Sequence, residues 1–169
     1  LTTESEVVSS TAVQIGDPVT EKKLTDALME ARDLGLFAAV TDCGAGGLSS
    51  AVGEMGEKRG ARVDLEKVPL KYAGLTPAEI WISESQERVV LAVPQEKLAS
   101  ILELFRRHSV EAVSIGEFTS TGRLELKYQG TRVGELAMEF LHDGLPKSPK
   151  AARWTAPETS EPNLPKSTN

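Results

Sequence analysis

Apolar residues recur at helical spacing in two segments of the first third of the chain. Asp17-Pro18 combines a typical N-cap residue with proline at the first helical position, and an apolar stripe follows as far as Gly35. The stripe consists of Leu24, Ala27, Leu28 and Ala31. It predicts a helix of about four turns. A second stripe over 48–55 predicts another helix, which Gly60 ends.

Shorter apolar segments predict strands. They fall at 36–40, 62–66, 89–93, 113–118, 124–128 and 132–136. A capping box that begins at Thr76 predicts a short helix through Ile82, and apolar residues from Leu98 to Phe105 predict a longer one. Helices interleaved with strands and followed by an antiparallel meander indicate an α/β (α+β) domain, with a mixed, largely antiparallel sheet flanked by helices. The pattern does not determine the order of the strands.

Proline is concentrated at one end of the chain and divides it into segments. Five of the nine prolines lie within 146–169, among Ser, Thr, Lys and Glu, which predicts a linker to a following domain. Residues 1–12 are rich in Ser and Thr and predict an entry segment. The folded domain is therefore expected at 13–145, and the two flanking segments lead us to expect a piece of a longer polypeptide.

Composition and charge exclude several classes of protein. Lys and Arg number 19 against 25 Asp and Glu, a formal charge of −6, and the basic residues are scattered, which argues against nucleic acid as a partner. No segment approaches the roughly 20 apolar residues of a membrane span. The single cysteine forms no intramolecular disulfide, so we expect a cytoplasmic protein.

A glycine-rich segment follows the first predicted strand. Asp42 and Cys43 precede Gly44-Ala45-Gly46-Gly47, which leads into the second predicted helix. Free backbone N–H groups in such a turn bind anions, but glycines also serve tight turns with no ligand at all. A carboxylate at the end of a buried strand is suited to Mg²⁺, and equally to capping the turn. Both alternatives stay open for Asp42 and for the glycines.

A second polar segment lies between the short helix and the next strand. Residues 83–88 read Ser-Glu-Ser-Gln-Glu-Arg, which fits either a ligand-contacting loop or an ordinary surface loop. Gln14, ahead of the first helix, has the same two interpretations. Cys43 is interpreted as a small buried residue rather than a nucleophile. His108 and His142 are expected at helix ends, where they favour the carboxyl terminus rather than bind metal.

Three motifs in this order carry a resemblance to a known family. They are Val13-Gln14-Ile15-Gly16-Asp17-Pro18 followed by Glu21-Lys22, then Asp42 to Ser50, and then Ser83 to Arg88. Over residues 1 to about 162 the chain resembles the synthetase subunit of phosphoribosylformylglycinamidine synthase. The resemblance implies the first of its two carboxyl-type domains, with a fold like the C-terminal domain of aminoimidazole ribonucleotide synthase.

The resemblance implies an ATP-dependent ligase of purine biosynthesis that converts formylglycinamide ribonucleotide and ammonia to the formylglycinamidine. Gln14, Glu84, Ser85 and Gln86 match substrate-contacting positions, and Asp42 matches a magnesium ligand. ATP would be bound mainly by a preceding domain. Other implied partners are a following pseudo-repeat of the same polypeptide, a glutaminase subunit and a small carrier subunit. The family's catalytic residues lie outside this stretch, so the fragment alone is expected to be inactive.

Two other functions compete with this one. The first is a non-catalytic docking or structural domain, in which the glycine turn and the polar run serve only the fold. The second is a related ATP-using enzyme, such as aminoimidazole ribonucleotide synthase or selenophosphate synthetase. The polar run 83–88, coming after Gln14 and Asp42, favours the formylglycinamidine enzyme over these relatives.

Overall fold

The computed structural model describes residues 16–70, 73–146 and 148–156. The helices are α1 (Pro18–Asp33), α2 (Leu48–Gly56), α3 (Pro77–Ile82), α4 (Leu98–Arg107) and α5 (Met138–Asp143). The strands are β1 (Ala39–Asp42), β2 (Ala61–Asp64), β3 (Val89–Ala92), β4 (Gly116–Phe118), β5 (Arg123–Tyr128) and β6 (Thr131–Ala137). Single 3-10 turns cover Leu65–Lys67 and Gln95–Lys97. Within these described ranges, no helix is long and apolar enough to cross a bilayer.

Two sheets divide the strands between them. β1 and β3 form an antiparallel pair, and the other four strands follow the order β4-β2-β5-β6. In the larger sheet β2 and β5 are parallel, and the other pairs are antiparallel. The predicted class, a mixed and largely antiparallel α/β arrangement flanked by helices, is confirmed. The division into two sheets depends on contacts between distant segments, which the apolar pattern does not specify.

The capping residues predicted from the sequence are found at the starts of α1 and α3. The Asp17 carboxylate accepts hydrogen bonds from the backbone N–H groups of Val19 and Thr20 at 3.0 and 3.2 Å, which fixes the start of α1. The Thr76 hydroxyl accepts from the N–H of Glu79, while the Glu79 carboxylate accepts from the N–H of Thr76. This capping box begins α3 as predicted.

Strand β1, which ends at Asp42, is exposed, whereas the sequence predicted a buried strand at this place. Ala39, Val40 and Asp42 of β1 are exposed, and Val40 retains 45% of its accessible surface. β1 pairs only with β3 among the strands described, and burial of a strand depends on what covers it. The predicted strand 89–93 is likewise only half-buried, apart from Val90.

The buried side chains form two clusters, and β3 contributes to both. One cluster lies between the larger sheet and helices α2 and α3, and includes Leu65, Ile80 and Val90. The other lies between α1 and α4, and Val89 and Leu91 pack against it. Successive side chains of a strand point to opposite faces, so β3 holds the two clusters side by side.

An ion-pair cluster joins α1 to the end of α4. The Glu30 carboxylate lies 2.6 Å from His108 Nε2 and 2.8 Å from Arg107 Nη2. These hydrogen bonds, that of His108 foremost, lower the pKa of Glu30. His108 is the C-cap of α4, and His142 lies in the last turn of α5 with its Nε2 3.1 Å from the Gly53 carbonyl oxygen. Both histidines thus lie at helix ends, as predicted.

The packing of α1 on α4 predicts the effect of truncating Leu104, the most buried leucine between these two helices. Leu104 is 1% exposed, so Leu104→Ala removes apolar contacts and leaves a cavity. We expect the free energy of unfolding to fall by about 2 to 5 kcal/mol. Leu145→Ala is the matched control, because Leu145 is 87% exposed, and it should change stability by less than about 0.5 kcal/mol. Urea denaturation measures both, and equal effects would contradict this packing.

Candidate functional site

The turn between β1 and α2 requires glycine, because it lies directly against the carbonyl group of Ser83, a residue distant in the sequence. We call residues 44–47 the glycine turn. Gly46 and Gly47 have φ angles of +81° and +56°, in the left-handed region. A Cβ on Gly47 would lie 2.1 Å from the Ser83 carbonyl oxygen, well inside van der Waals contact. The glycine turn therefore meets residue 83 directly, backbone against backbone.

Residues 83–88, which we call the polar loop, are fastened to the glycine turn by side chains. The Glu84 carboxylate accepts a hydrogen bond from the Gly46 N–H at 3.1 Å. Arg88 Nη2 donates to the Ser83 carbonyl oxygen at 2.5 Å and so closes the loop on itself. The N–H of Cys43 donates to the Arg88 carbonyl oxygen at 3.0 Å. The loop therefore has fixed attachments at both of its ends.

A third attachment joins the polar loop to the start of α1. The Glu87 carboxylate accepts a hydrogen bond from the Asp17 N–H at 2.8 Å, although 70 residues separate the two. The same oxygen lies against Gly16, where a Cβ would come within 3.0 Å of it. Glu87 itself has a φ of +55°. The segment ahead of α1, the glycine turn and the polar loop thus come together.

These three segments surround a cleft of about 490 Å³. Polar side chains on its wall come from α1, from the end of β1 and from the polar loop, namely Glu21, Thr25, Asp42, Ser85, Gln86, Glu87 and Arg88. The apolar side chains on the wall are Leu24, Leu28, Cys43 and Val89. A concave site where several polar side chains converge beside apolar ones is suited to a small polar molecule.

Burial shifts the titration of two residues of the cleft. It lowers the pKa of the Arg88 guanidinium, which nevertheless stays charged, and the Nε of Arg88 is buried without a hydrogen-bond partner among the described residues. Burial also raises the pKa of the Cys43 thiol, more than the nearby Arg88 charge lowers it. A thiol of this kind is protonated and unreactive at neutral pH, which agrees with the interpretation of Cys43 as a small buried residue.

The structure brings three of the predicted site residues to one cleft. Asp42, Ser85 and Gln86 line it, whereas Glu84 is directed to the Gly46 N–H. Gln14 lies outside the described residues. Over the described ranges, no group of three or more His, Cys, Asp and Glu side chains is arranged to hold a metal ion. The exposed carboxylate of Asp42 is a suitable hard oxygen ligand for Mg²⁺, but it supplies only one ligand.

The sequence did not predict Glu87 and Arg88, which line the cleft, as site residues. Glu87 and Arg88 belong to the polar run, yet residue types alone do not distinguish them from solvated charges. Their roles depend on Asp17 and on the Ser83 carbonyl oxygen. The run of six polar residues between an apolar helix and a strand was the available signal.

Comparisons with known proteins agree on one family. The model for the family AIR synthase related protein, C-terminal domain, matches residues 1–129. Phosphoribosylformylglycinamidine synthase subunit PurL of Methanothermobacter thermautotrophicus is 39% identical over 145 residues, which are 85% of this chain and 20% of that protein. The same subunit of Methanopyrus kandleri is 41% identical over 146 residues, with the same coverage. The chain thus spans about a fifth of the length of these curated relatives.

Solved structures show the same likeness. Thermotoga maritima PurL complexed with FGAR has a TM-score of 0.78 and 33% identity, covering 87% of this chain and 24% of that one. The complex of the same protein with ATP has the same score and identity, covering 87% and 26%. The structure of PurLQS from Thermotoga maritima also scores 0.78 at 33% identity, covering 88% and 25%.

The approach of Gly47 to Ser83 predicts a large effect of a single methyl group. Gly47→Ala places Cβ inside the Ser83 carbonyl oxygen and also forces alanine into a left-handed conformation. Gly35→Ala is the matched control, because Gly35 has a similar φ of +61° but open space around its Cα. We expect Gly35→Ala to lower the free energy of unfolding by about 1 to 2 kcal/mol, and Gly47→Ala by clearly more. Equal losses in chemical denaturation would show that the turn and the loop do not touch.

Proposed function

The chain belongs to the family of AIR synthase related proteins, as the C-terminal domain, and we propose that it is one domain of a phosphoribosylformylglycinamidine synthase. The proposed reaction consumes formylglycinamide ribonucleotide, ATP and ammonia, and yields formylglycinamidine ribonucleotide, ADP and phosphate. Within this enzyme the domain supplies substrate contacts and one magnesium ligand. We place the enzyme in the cytoplasm, which agrees with its single cysteine.

The observation that carries the proposal is that some residues of the polar loop make contacts within the protein, while others line the cleft. Ser83, Glu84, Glu87 and Arg88 are engaged in contacts within the protein. Ser85 and Gln86 line the cleft, and their side chains have no hydrogen-bond partner among the residues the structure describes. A hydroxyl and an amide, held by fixed neighbours on either side, are suited to orient the hydroxyl and amide groups of a ribonucleotide substrate.

We assign Gln14 and Glu84 to the same substrate site. Gln14 precedes Gly16 by two residues in the sequence, and Gly16 lines the cleft. The Glu84 carboxylate uses one oxygen for the Gly46 N–H, which leaves lone pairs for a substrate donor. Both assignments are supported by the motif resemblance and by position.

Asp42 is the proposed magnesium ligand. Its exposed carboxylate lies at the end of β1, on the wall of the cleft, where an ion could contact both the protein and a phosphate. When bound, Mg²⁺ would offset the negative charge of phosphoryl oxygens during transfer from ATP. Its remaining ligands would have to come from phosphate oxygens, water and the preceding domain.

The domain works only as part of a larger assembly in this proposal. Residues 13–145 form the folded unit, and the linker 146–169 leads to a following pseudo-repeat. A preceding domain binds ATP, a glutaminase subunit delivers ammonia and a small carrier subunit completes the complex. No residue of this stretch carries the chemical step, so we propose that the fragment alone is inactive. The solved PurLQS assembly supports the existence of partner subunits.

The two competing functions are less well supported. A purely structural domain gives no reason for Ser85 and Gln86 to lie on the wall of a cleft with no hydrogen-bond partner among the described residues. Another ATP-using enzyme of the family fits the fold equally well. However, the curated relatives described above are subunits of phosphoribosylformylglycinamidine synthase.

The proposal predicts which substrate loses affinity when Gln86 is truncated. We expect the full-length polypeptide, supplied with ammonium chloride, to release ADP only when formylglycinamide ribonucleotide is present. Gln86→Ala should raise the KM for that ribonucleotide by an amount equivalent to about 1 to 3 kcal/mol, because the bound substrate loses its hydrogen bond to the Gln86 amide. The KM for ATP should not change.

Gln95→Ala is the control for the Gln86 variant, because Gln95 is exposed and lies in a 3-10 turn that does not line the cleft. It should leave both KM values unaltered. Substrate-independent ADP release by the parent, or an unaltered KM in Gln86→Ala, would contradict the proposed substrate site.

The magnesium role of Asp42 predicts a change in metal dependence. Asp42→Asn keeps the shape of the side chain but removes its charge, so the concentration of Mg²⁺ for half-maximal rate should rise and turnover should fall. Folding stability should change little, because Asp42 is exposed. Asp26→Asn is the control, because Asp26 is an exposed residue of α1 that forms an ion pair with Lys22. An unaltered magnesium titration would disprove the assignment.

A further inference from the structure

Glu87 has a backbone conformation that residues with a side chain rarely adopt. Its φ of +55° lies in the left-handed region, which glycine occupies freely and glutamate does not. Such residues persist where the surrounding structure imposes the conformation, and they are concentrated at binding sites. Glu87 lies on the wall of the cleft, directly after Ser85 and Gln86.

The left-handed conformation accompanies a contact that bridges two segments of the site. The Glu87 carboxylate accepts the Asp17 N–H at 2.8 Å and lies against Gly16. Hydrogen bonds to an ionised acceptor are stronger than those between neutral groups. This bond joins the polar loop to the residues immediately ahead of α1, and Gly16 is also part of the cleft wall.

The other charged residues of the polar loop hold it elsewhere. Glu84 attaches the loop to the glycine turn, and Arg88 attaches it to its own first residue, Ser83. Within the part of the chain that the structure describes, neither side chain is hydrogen-bonded to the start of α1. Among the described contacts, Glu87 therefore supplies the hydrogen bond that ties the polar loop, with Ser85 and Gln86, to the part of the cleft wall just ahead of α1.

We propose that Glu87 is a positioning residue for ribonucleotide binding: by holding the N–H of Asp17, it fixes the two walls of the cleft at the separation that the substrate bridges. The inference rests on the proposed function. Glu87 does not itself touch the substrate in this account. It acts through the Asp17 backbone, and its strained backbone directs the carboxylate there.

Three substitutions in the full-length enzyme separate positioning from folding. Glu87→Gly removes the carboxylate and relieves the backbone, so the Tm should stay close to that of the parent. Its KM for formylglycinamide ribonucleotide should nevertheless rise about tenfold, with kcat and the KM for ATP little changed. Glu87→Ala should raise this KM similarly, whereas Glu87→Gln keeps an oxygen acceptor and should restore most of the affinity.

Gln129→Gly is the matched control. Gln129 has a φ of +50° in the turn between β5 and β6, and it does not line the cleft, so the same backbone relief should leave every kinetic constant unaltered. A parental KM in Glu87→Gly would overturn the proposal, as would an equal rise in KM for ATP. A rise in KM for Gln129→Gly would have the same consequence.

Amide hydrogen exchange in the full-length polypeptide separates this inference from the proposed function. If the parent does not turn over the ribonucleotide, the proposed function fails, and exchange still tests the role of Glu87. Faster exchange at Asp17 in Glu87→Gly, with the buried part of α1 around Ala27 still protected, would support positioning. Exchange at the parental rate would overturn it, even in an active enzyme.

Discussion

The glycine turn and the polar loop touch where the Ser83 carbonyl oxygen occupies the space that a side chain on Gly47 would fill. This contact brings the end of β1 and the loop that leads into β3 to the same place. It also places the Gly46 N–H within reach of Glu84, and the Arg88 guanidinium beside the Ser83 carbonyl oxygen. A larger residue at position 47 would separate the two segments, and the cleft would lose one wall.

The two hydrophobic clusters make this contact rigid. Val90 belongs to the cluster beneath α2 and α3, and its neighbours Val89 and Leu91 pack against the cluster between α1 and α4. β3 therefore cannot shift toward one cluster without losing contacts in the other. Since the polar loop leads directly into β3, the loop inherits this fixed position, and the helices on both sides are tied to the cleft.

The charged side chains of the polar loop mainly attach the loop to itself and to neighbouring segments. Arg88 is partly buried beside the glycine turn, where loss of hydration lowers its pKa, and its hydrogen bond to the Ser83 carbonyl oxygen offsets part of that loss. Glu84 and Glu87 accept backbone N–H groups from two different segments. With these charges engaged, the uncharged side chains of Ser85 and Gln86 line the cleft beside Glu87, Arg88 and Asp42.

The sequence by itself determined the features that depend on neighbouring residues. Asp17 begins α1 and Thr76 begins α3, because a cap needs only the next three or four residues. The motifs around Gln14, Asp42 and Ser83 likewise indicated the family. Tertiary structure alone decided that β1 is exposed and that the strands form two sheets. It also decided that Glu87 holds Asp17 across 70 residues and Glu84 holds Gly46 across 38. The physical reason is that burial and long-range hydrogen bonds depend on which segments the two clusters bring together, and local pattern carries no information about that.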